Sequence, residues 1–495
     1  MDEQGKSDGP VVPTKSPNKV PAAAEAMEGR GPADRNTSQA DAARTQRRTT
    51  AQSGLARVRE AAKRDRKARL SALLHHVTVE RLRNAFESMH KKAAAGVDGV
   101  TWAAYAQDMD RNVQDLHARL QRGAYRAKPS RRVYIPKADG RQRPLGISSL
   151  EDKLVQRAVA EVLNAIYETD FLGFSYGFRP GRGQHDALDA LYVGIRRGKV
   201  NWVLDADIRS FFDTLDHGWL MKFIEHRIAD RRVLRLIQKW LNAGVLEDGK
   251  WSATEEGTPQ GATISPLLAN VYLHYVFDLW IQRWRKRRAV GNIVVVRYAD
   301  DFIVGFQYET DARSFLSELR ERLRRFALEL HPEKTRLIRF GSFAALNRKQ
   351  RGEGKPETFC FLGFVHICSE SANGKFLVLR HTDSSRMHRK LRELRLELRR
   401  RMHAPVPEQG AWLGSVMRGF DAYYAVPTNA RRLERFRRDV KRDWLRALRR
   451  RSQRDLTSWQ RIDRLCERWL PPLRILHPWP EERFLAKTVR KSPVR

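Results

Sequence analysis

Two adjacent carboxylates, Asp300 and Asp301, stand between apolar, β-branched runs in VVVRYADDFIVGF, residues 294–306. The pattern reads as a buried hairpin, with a tight turn at Ala299–Asp300 that lets both side chains project near its tip. Like charges held together away from water are costly unless a partner neutralises them or one stays protonated. A divalent cation removes the conflict, and hard oxygen ligands with open positions suit Mg²⁺. WVLDADIRSFFDTLDH, residues 202–217, supplies Asp205, Asp207, Asp213 and Asp216, with Asp207 at the C-terminal end of an apolar strand. If that strand pairs beside the hairpin, Asp207 and Asp300 face each other across a two-metal site. Such a site activates a hydroxyl nucleophile and stabilises charge on a transferred phosphoryl group. Taken alone, a pair of aspartates in a hairpin is equally well explained by salt-bridged structural acids. Phe212, five residues beyond Asp207, could place a ring under a sugar and exclude a 2′-hydroxyl, or be an ordinary core aromatic.

The elements that must position these groups sit in a 495-residue chain with 94 Lys and Arg against 58 Asp and Glu, a formal net charge of +36. That length allows two or three domains, and that charge calls for a polyanion, with nucleic acid the default partner. The three cysteines have no metal-ligand or disulfide spacing, which fits a reducing compartment. No apolar run reaches membrane-spanning length, and the acidic opening MDEQGKSD argues against a transit peptide. Residues 1–54 are rich in Pro, Gly, Ala, Ser and Thr and are expected to be disordered. A basic helix is expected over ARVREAAKRDRKARLSALL. Thr78 is read as the N-cap of the next helix, and one helix is expected to carry the stripe Trp102, Tyr105, Met109, Val113, Leu116 and Leu120. Strands and helices alternate from about 131 to 370, including a hairpin turning at Asp139–Gly140 in VYIPKADGRQRPLGI. Residues 381–495 hold about 30 Lys and Arg against about 13 Asp and Glu, mostly on helices such as SSRMHRKLRELRLELRRRM.

The motifs together are specific. RYADDFIVGF resembles the YxDD box of reverse transcriptases, and DADIRSFFDTLDH resembles the palm motif that supplies their other metal ligand. EGTPQGATISPLLANVYLH, SYGFRPGRGQHDAL, YIPKADGRQRPLGI, LHPEKTRLIRF and FCFLGFVHI also match, in that family's order, over roughly residues 75–370. Within the class, AGVDGVTWAAYAQD, GSVMRGFDAYYAVPTN and WLPPLRILHPWPEERF are similar to segments of group II intron-encoded reverse transcriptase/maturases, extending the resemblance over about residues 70–485.

The resemblance implies an α+β fold: a right-hand polymerase with fingers and palm over 55–370, followed by an all-α thumb/maturase domain over 371–495. It assigns metal binding and catalysis to Asp207, Asp300 and Asp301, with two Mg²⁺ ions. Lys137 and Arg143 match the positions that hold the incoming triphosphate, Phe212 the steric gate, and Gln260 the residue near the nascent base pair. Arg179 is assigned either a template contact or a bracing role. Asp205 is read as a supporting group on the strand's opposite alternation, and His217, Asp213 and Asp216 as packing and capping groups. The implied function is an RNA-directed DNA polymerase that binds its intron RNA, assists splicing and copies the intron during mobility. Implied partners are intron RNA, RNA template with DNA primer, dNTPs and target DNA, in a bacterial cytoplasmic ribonucleoprotein without a membrane. A homodimer is left open. No separate DNA-binding domain or HNH-type Cys/His cluster is expected. A splicing-only RNA binder, or a related enzyme serving CRISPR or phage defence, stands as the alternative.

Overall fold

The computed structural model describes residues 54–136, 142–247, 249–253, 256–258, 261–451 and 457–489. The expected disordered tail, the Asp139–Gly140 turn, Lys137 and Gln260 lie outside the described residues.

Eleven strands, β1 to β11 in chain order, form three sheets among the described residues. The sheet that carries the aspartates has the order β6-β7-β3-β8 and is antiparallel throughout: β3 is Trp202–Asp207, β6 Ile293–Tyr298, β7 Asp301–Phe306 and β8 Arg336–Arg339. Side chains alternate across a strand, so each face collects one parity of residue. Leu204, Ala206, Val295, Phe302, Val304 and Phe306 enter a large core shared with surrounding helices. Val203, Val296, Ile303 and Ile338 enter a second core on the opposite face. Asp205, Asp207 and Asp301 have the parity of this second face. They continue it past its apolar part, and the sheet that holds them is packed on both sides.

A second sheet, β2-β1-β4-β5, contains the predicted hairpin as β1 (Ser130–Pro136) and β2 (Gln142–Ile147), in register at Val133↔Leu145, with β4 (Val245–Glu247) parallel to β1 and β5 (Lys250–Ser252) outside it. The third sheet is β9 (Phe359–Phe361), β10 (Phe364–Glu370) and β11 (Phe376–Thr382). The β10–β11 hairpin pairs Phe364↔Thr382 through Glu370↔Phe376, so a boundary at 370/371 would cut through it. The helical portion begins instead at Ser384. There the Met387, Leu391, Leu394 and Leu398 stripe is buried with Phe436, Val440 and Trp444 in a third core. No described helix is long and apolar enough to cross a membrane.

Local signals held where nothing longer-range opposed them. Thr78 accepts from Arg81 N and caps the helix Val79–Glu87. The basic N-terminal helix is shorter than its composition predicts: residues 65 to 69 leave helical geometry, and Leu70 forms a bridge to Ile228. Arg227 is the cause. Its buried guanidinium takes the carbonyls of Ala62, Asp65 and Ala68, so the chain ends its helix to serve a distant cation. The single helix expected across Trp102 to Leu120 is two, Trp102–Gln107 and Met109–Gln121, broken at Asp108.

His366 on β10 is fully buried and stacked on Phe359 at 4.7 Å. Burial, reinforced by Arg380, pushes its imidazole down to about 3. The folded state therefore prefers the neutral ring. The stability this confers is complete above the ordinary histidine range and is lost as pH falls through it toward 3, at up to about 1.4 kcal/mol per pH unit. His366→Leu is expected to shift the midpoint of acid unfolding to lower pH, measured by circular dichroism.

Candidate active site

Strands β6 and β7 are joined by two residues, Ala299 and Asp300, with Tyr298 and Asp301 paired across the turn. Ala299 has φ +58°, the left-handed region, which the first central position of this hairpin turn demands and where glycine is usual. An alanine held there costs about 1–2 kcal/mol. Gly177 explains the tightness on the other side: a Cβ at that position would lie 2.3 Å from Ala299 N. The GFRPGR loop and the aspartate turn therefore meet backbone to backbone.

Asp301 is directly opposite Asp207 in the β3–β7 ladder. Cross-strand neighbours share a face with Cβ atoms about 5 Å apart. Asp300 adds a third carboxylate from the turn itself. Burial raises the carboxyl of Asp300, with the charge of Asp207 adding to the effect. Burial first, then the charges of Asp300, Asp207 and Asp205, push Asp301 up to about 8. Asp301 thus sits in a buried place beside other carboxylates, with the charge of Arg386 opposing them. The nearest counter-charge is Lys334, whose Nζ lies 2.5 Å from Asp207 Oδ2.

Among the described residues no three such side chains are already closed into a ligand cage. The donor set nonetheless fits a hard divalent cation: three carboxylates, two of them adjacent in a strained turn, with excess negative charge in a largely buried place.

Asp205 is corrected. It lies two residues from Asp207 and so shares its face rather than opposing it, pairing in register with Ile303 and Arg336. Arg336 Nη2 approaches its Oδ2 at 3.3 Å, and burial raises its carboxyl. It thus adds to the field on Asp301 while keeping a partner of its own.

Arg143 is exposed on β2, and its positive charge is felt at Asp300. Phe212 is half-buried, edge-on to Phe211 at 5.3 Å, and its carbonyl accepts from Thr258 N at 2.8 Å. That bond ties the turn after β3 to the GTPQG segment, where Gly257 (φ +82°) leaves no room for a Cβ beside Phe212 O. Asp216 caps the helix His217–Glu225, and His217 Nε2 donates to Gly257 O at 2.6 Å, so both serve as local fasteners.

Arg179 does not reach toward a substrate. Its guanidinium is buried, donating from Nε and Nη2 to Glu168 at 3.0 and 2.9 Å and from Nη1 to the carbonyls of Leu172 and Ser175 at 2.7 and 2.8 Å. The template contact is corrected to a brace, because the donors are already engaged inside the fold. Arg179→Ala leaves Glu168 buried without its partner and is expected to destabilise by about 3–5 kcal/mol. Denaturant unfolding checks it, with template–primer affinity of the folded fraction unchanged.

Three residues escaped the sequence reading. Lys334 lies within the LHPEKTRLIRF block but was not singled out. Arg386 lies on the helix Ser384–Arg400, and its charge reaches Asp301. Arg297 is fully buried and bound to Asp278. The signal for the last was present: an arginine inside VVVRY and an aspartate inside YVFDLW are charges in apolar runs, and each requires a partner.

The family described as reverse transcriptase (RNA-dependent DNA polymerase) matches residues 135–366. Protein YkfC of Escherichia coli is 39% identical over 239 residues, covering 42% of this chain and 62% of that protein. Group II intron-encoded protein LtrA of Lactococcus lactis is 38% identical over 191 residues, 38% of this chain and 32% of LtrA. Nuclear intron maturase 3 of Arabidopsis thaliana is 27% identical over 180 residues, 32% of this chain and 25% of that protein. The chain thus spans less than two thirds of each of these relatives. The matched segment contains β2 and β3, the β6–β7 turn and all three clustered aspartates, and over it the chain is similar to reverse transcriptases, those encoded by group II introns among them.

Proposed function

We propose that this protein is an RNA-directed DNA polymerase that also binds and assists its group II intron RNA. The carrying observation is the register match of Asp207 and Asp301 with Asp300 in the adjoining turn, three clustered carboxylates of which, among the described residues, only Asp207 has a direct cationic partner, Lys334. Asp207, Asp300 and Asp301 are the residues that would hold two Mg²⁺ ions. Bound there, the ions would favour the alkoxide of a primer 3′-hydroxyl and neutralise charge on the phosphoryl group.

The protein's own groups do the rest. Arg143, with Lys137, grips the triphosphate of the incoming nucleotide, the guanidinium giving a fork and the ammonium a point charge. Phe212 supports the sugar, and Gln260 lies beside the nascent base pair. In this reading residues 55–370 are fingers and palm, with the β10–β11 hairpin completed to residue 382. The helices from Ser384 onward are the thumb and maturase portion. Their arginine-rich outer faces suit the phosphates of a compact intron RNA, and the same protein would use target DNA in intron mobility.

Extension of a DNA primer on an RNA template tests the reading. Full-length protein with Mg²⁺ is expected to extend it, and chelation with EDTA to stop extension while RNA binding persists. Protein that binds RNA but adds no nucleotide under any divalent cation would reduce the reading to a splicing factor.

A further inference from the structure

Beneath the aspartate turn lies a buried clamp for which neither composition nor family match provides a role. Arg297 donates from Nε and Nη2 to both oxygens of Asp278, at 2.7 and 2.6 Å, and the pair is wholly excluded from solvent. Its Nη1 donates to Asn270 Oδ1 at 3.0 Å and to the carbonyl of Ala299 at 2.8 Å. Asn270 in turn donates from Nδ2 to Gly177 O at 2.7 Å. One guanidinium thus joins three separate segments: the helix after GTPQG, the GFRPGR loop and the turn bearing Asp300 and Asp301.

The helix is adapted to this task. Asn270 and Asp278 are eight residues apart, which on a straight α-helix would point them about 80° apart. Residues His274–Asp278 form a π-helical turn between the helices Ser265–Leu273 and Leu279–Arg287. A π turn takes up one extra residue and so restores eight-apart positions to one face. The wide turn is what lets both side chains meet Arg297. Next to it His274 is buried with Nδ1 4.0 Å from Asp278 Oδ2, farther than either Arg297 contact, and burial pushes its imidazole down to about 4.

A buried ion pair is a poor device for stability, since apolar residues of the same volume usually do as well. It is a good device for fixing one backbone geometry. The geometry points to Arg297 as a positioning residue, held by Asp278 and Asn270, that sets the left-handed Ala299 and thereby the placement of Asp300 and Asp301 for nucleotidyl transfer. This rests on the polymerase reading above and adds to it the part of the protein that holds the carboxylates in place.

Two variants test it. Arg297→Lys keeps the charge but cannot span Asp278 and Ala299 O together. Asn270→Ala spares the ion pair, so the fold survives if the lysine variant fails to form. Single-nucleotide addition per folded molecule is expected to lose about 10²-fold in kcat, the effect of a small misplacement of reacting groups. KM for dNTP and affinity for template–primer are expected to stay within about threefold. Mn²⁺ binding, read by electron paramagnetic resonance of the free ion, is expected to weaken in both variants. Folded variants with wild-type kcat and Mn²⁺ affinity would overturn the proposal, as would losses confined to melting temperature. A wild type that extends no primer would instead overturn the polymerase reading itself.

Discussion

On the polymerase reading, Asp301→Asn is expected to abolish primer extension, by at least about 10³-fold in kcat, while the protein remains folded and its RNA affinity is unchanged. The loss follows from removing a full charge where transition-state charge must be balanced, the kind of preorganised electrostatics whose removal costs about 10²–10³ per donor. The same substitution is expected to raise the melting temperature in EDTA. Asp301 faces Asp207 across the ladder with Asp300 beside it, and among the described residues only Lys334 lies in direct contact with the three. The amide keeps the shape and removes the cost of burying a carboxyl, and of placing it beside other carboxylates. Asn at this position should therefore be more stable and inactive, a combination that thermal melts and extension assays on one preparation will show. A variant that is inactive because it is unfolded would contradict the placement of Asp301 at a site of stored repulsion.

On the same reading, Phe212→Ala is expected to open the site to ribonucleotides, raising the efficiency of rNTP over dNTP incorporation by on the order of 10–100-fold. The ring is half-exposed at the first turn beyond Asp207. Its position is set from both sides, by the Thr258 N–H on its carbonyl and by the edge contact with Phe211. A side chain so constrained excludes a hydroxyl by contact and cannot move aside cheaply. Steady-state competition between matched ribo- and deoxynucleotides measures the change. Unaltered discrimination would return Phe212 to the status of a core aromatic.

The aspartates were legible because strand alternation is a short-range signal. VVVRYADDFIVGF and WVLDAD state that they are strands of one sheet, but the facing pair is corrected: the register brings Asp207 opposite Asp301, with Asp300 in the turn beside them. The stripe of Met387, Leu391, Leu394 and Leu398 was legible for the same reason. What was not legible depended on partners far away in sequence. Arg227 ends a helix more than 150 residues earlier by taking its carbonyls. Arg179 in GFRPGR reads equally as a template contact or a brace, and only Glu168 and two carbonyls closing around it decide for the brace. Asp108 breaks a helix that its neighbours would continue. Asp205 was misassigned by a parity error that the ladder makes plain, because residues two apart on a strand cannot oppose each other.

The last described helix, Pro480–Val489, returns to the first half of the chain. Glu481 pairs with Arg196, and Arg483 spans Asp186 and Asp189 across nearly three hundred residues. A dissection that separates the sheet-bearing part of the chain from the arginine-rich helices therefore has no clean place to cut. Division by sequence at the start of the arginine-rich helices carries away a piece of the opposite module, leaving its acidic sockets open. In this molecule modularity is a property of three-dimensional space, and gene-level shuffling of the two parts has to respect a seam that doubles back on itself.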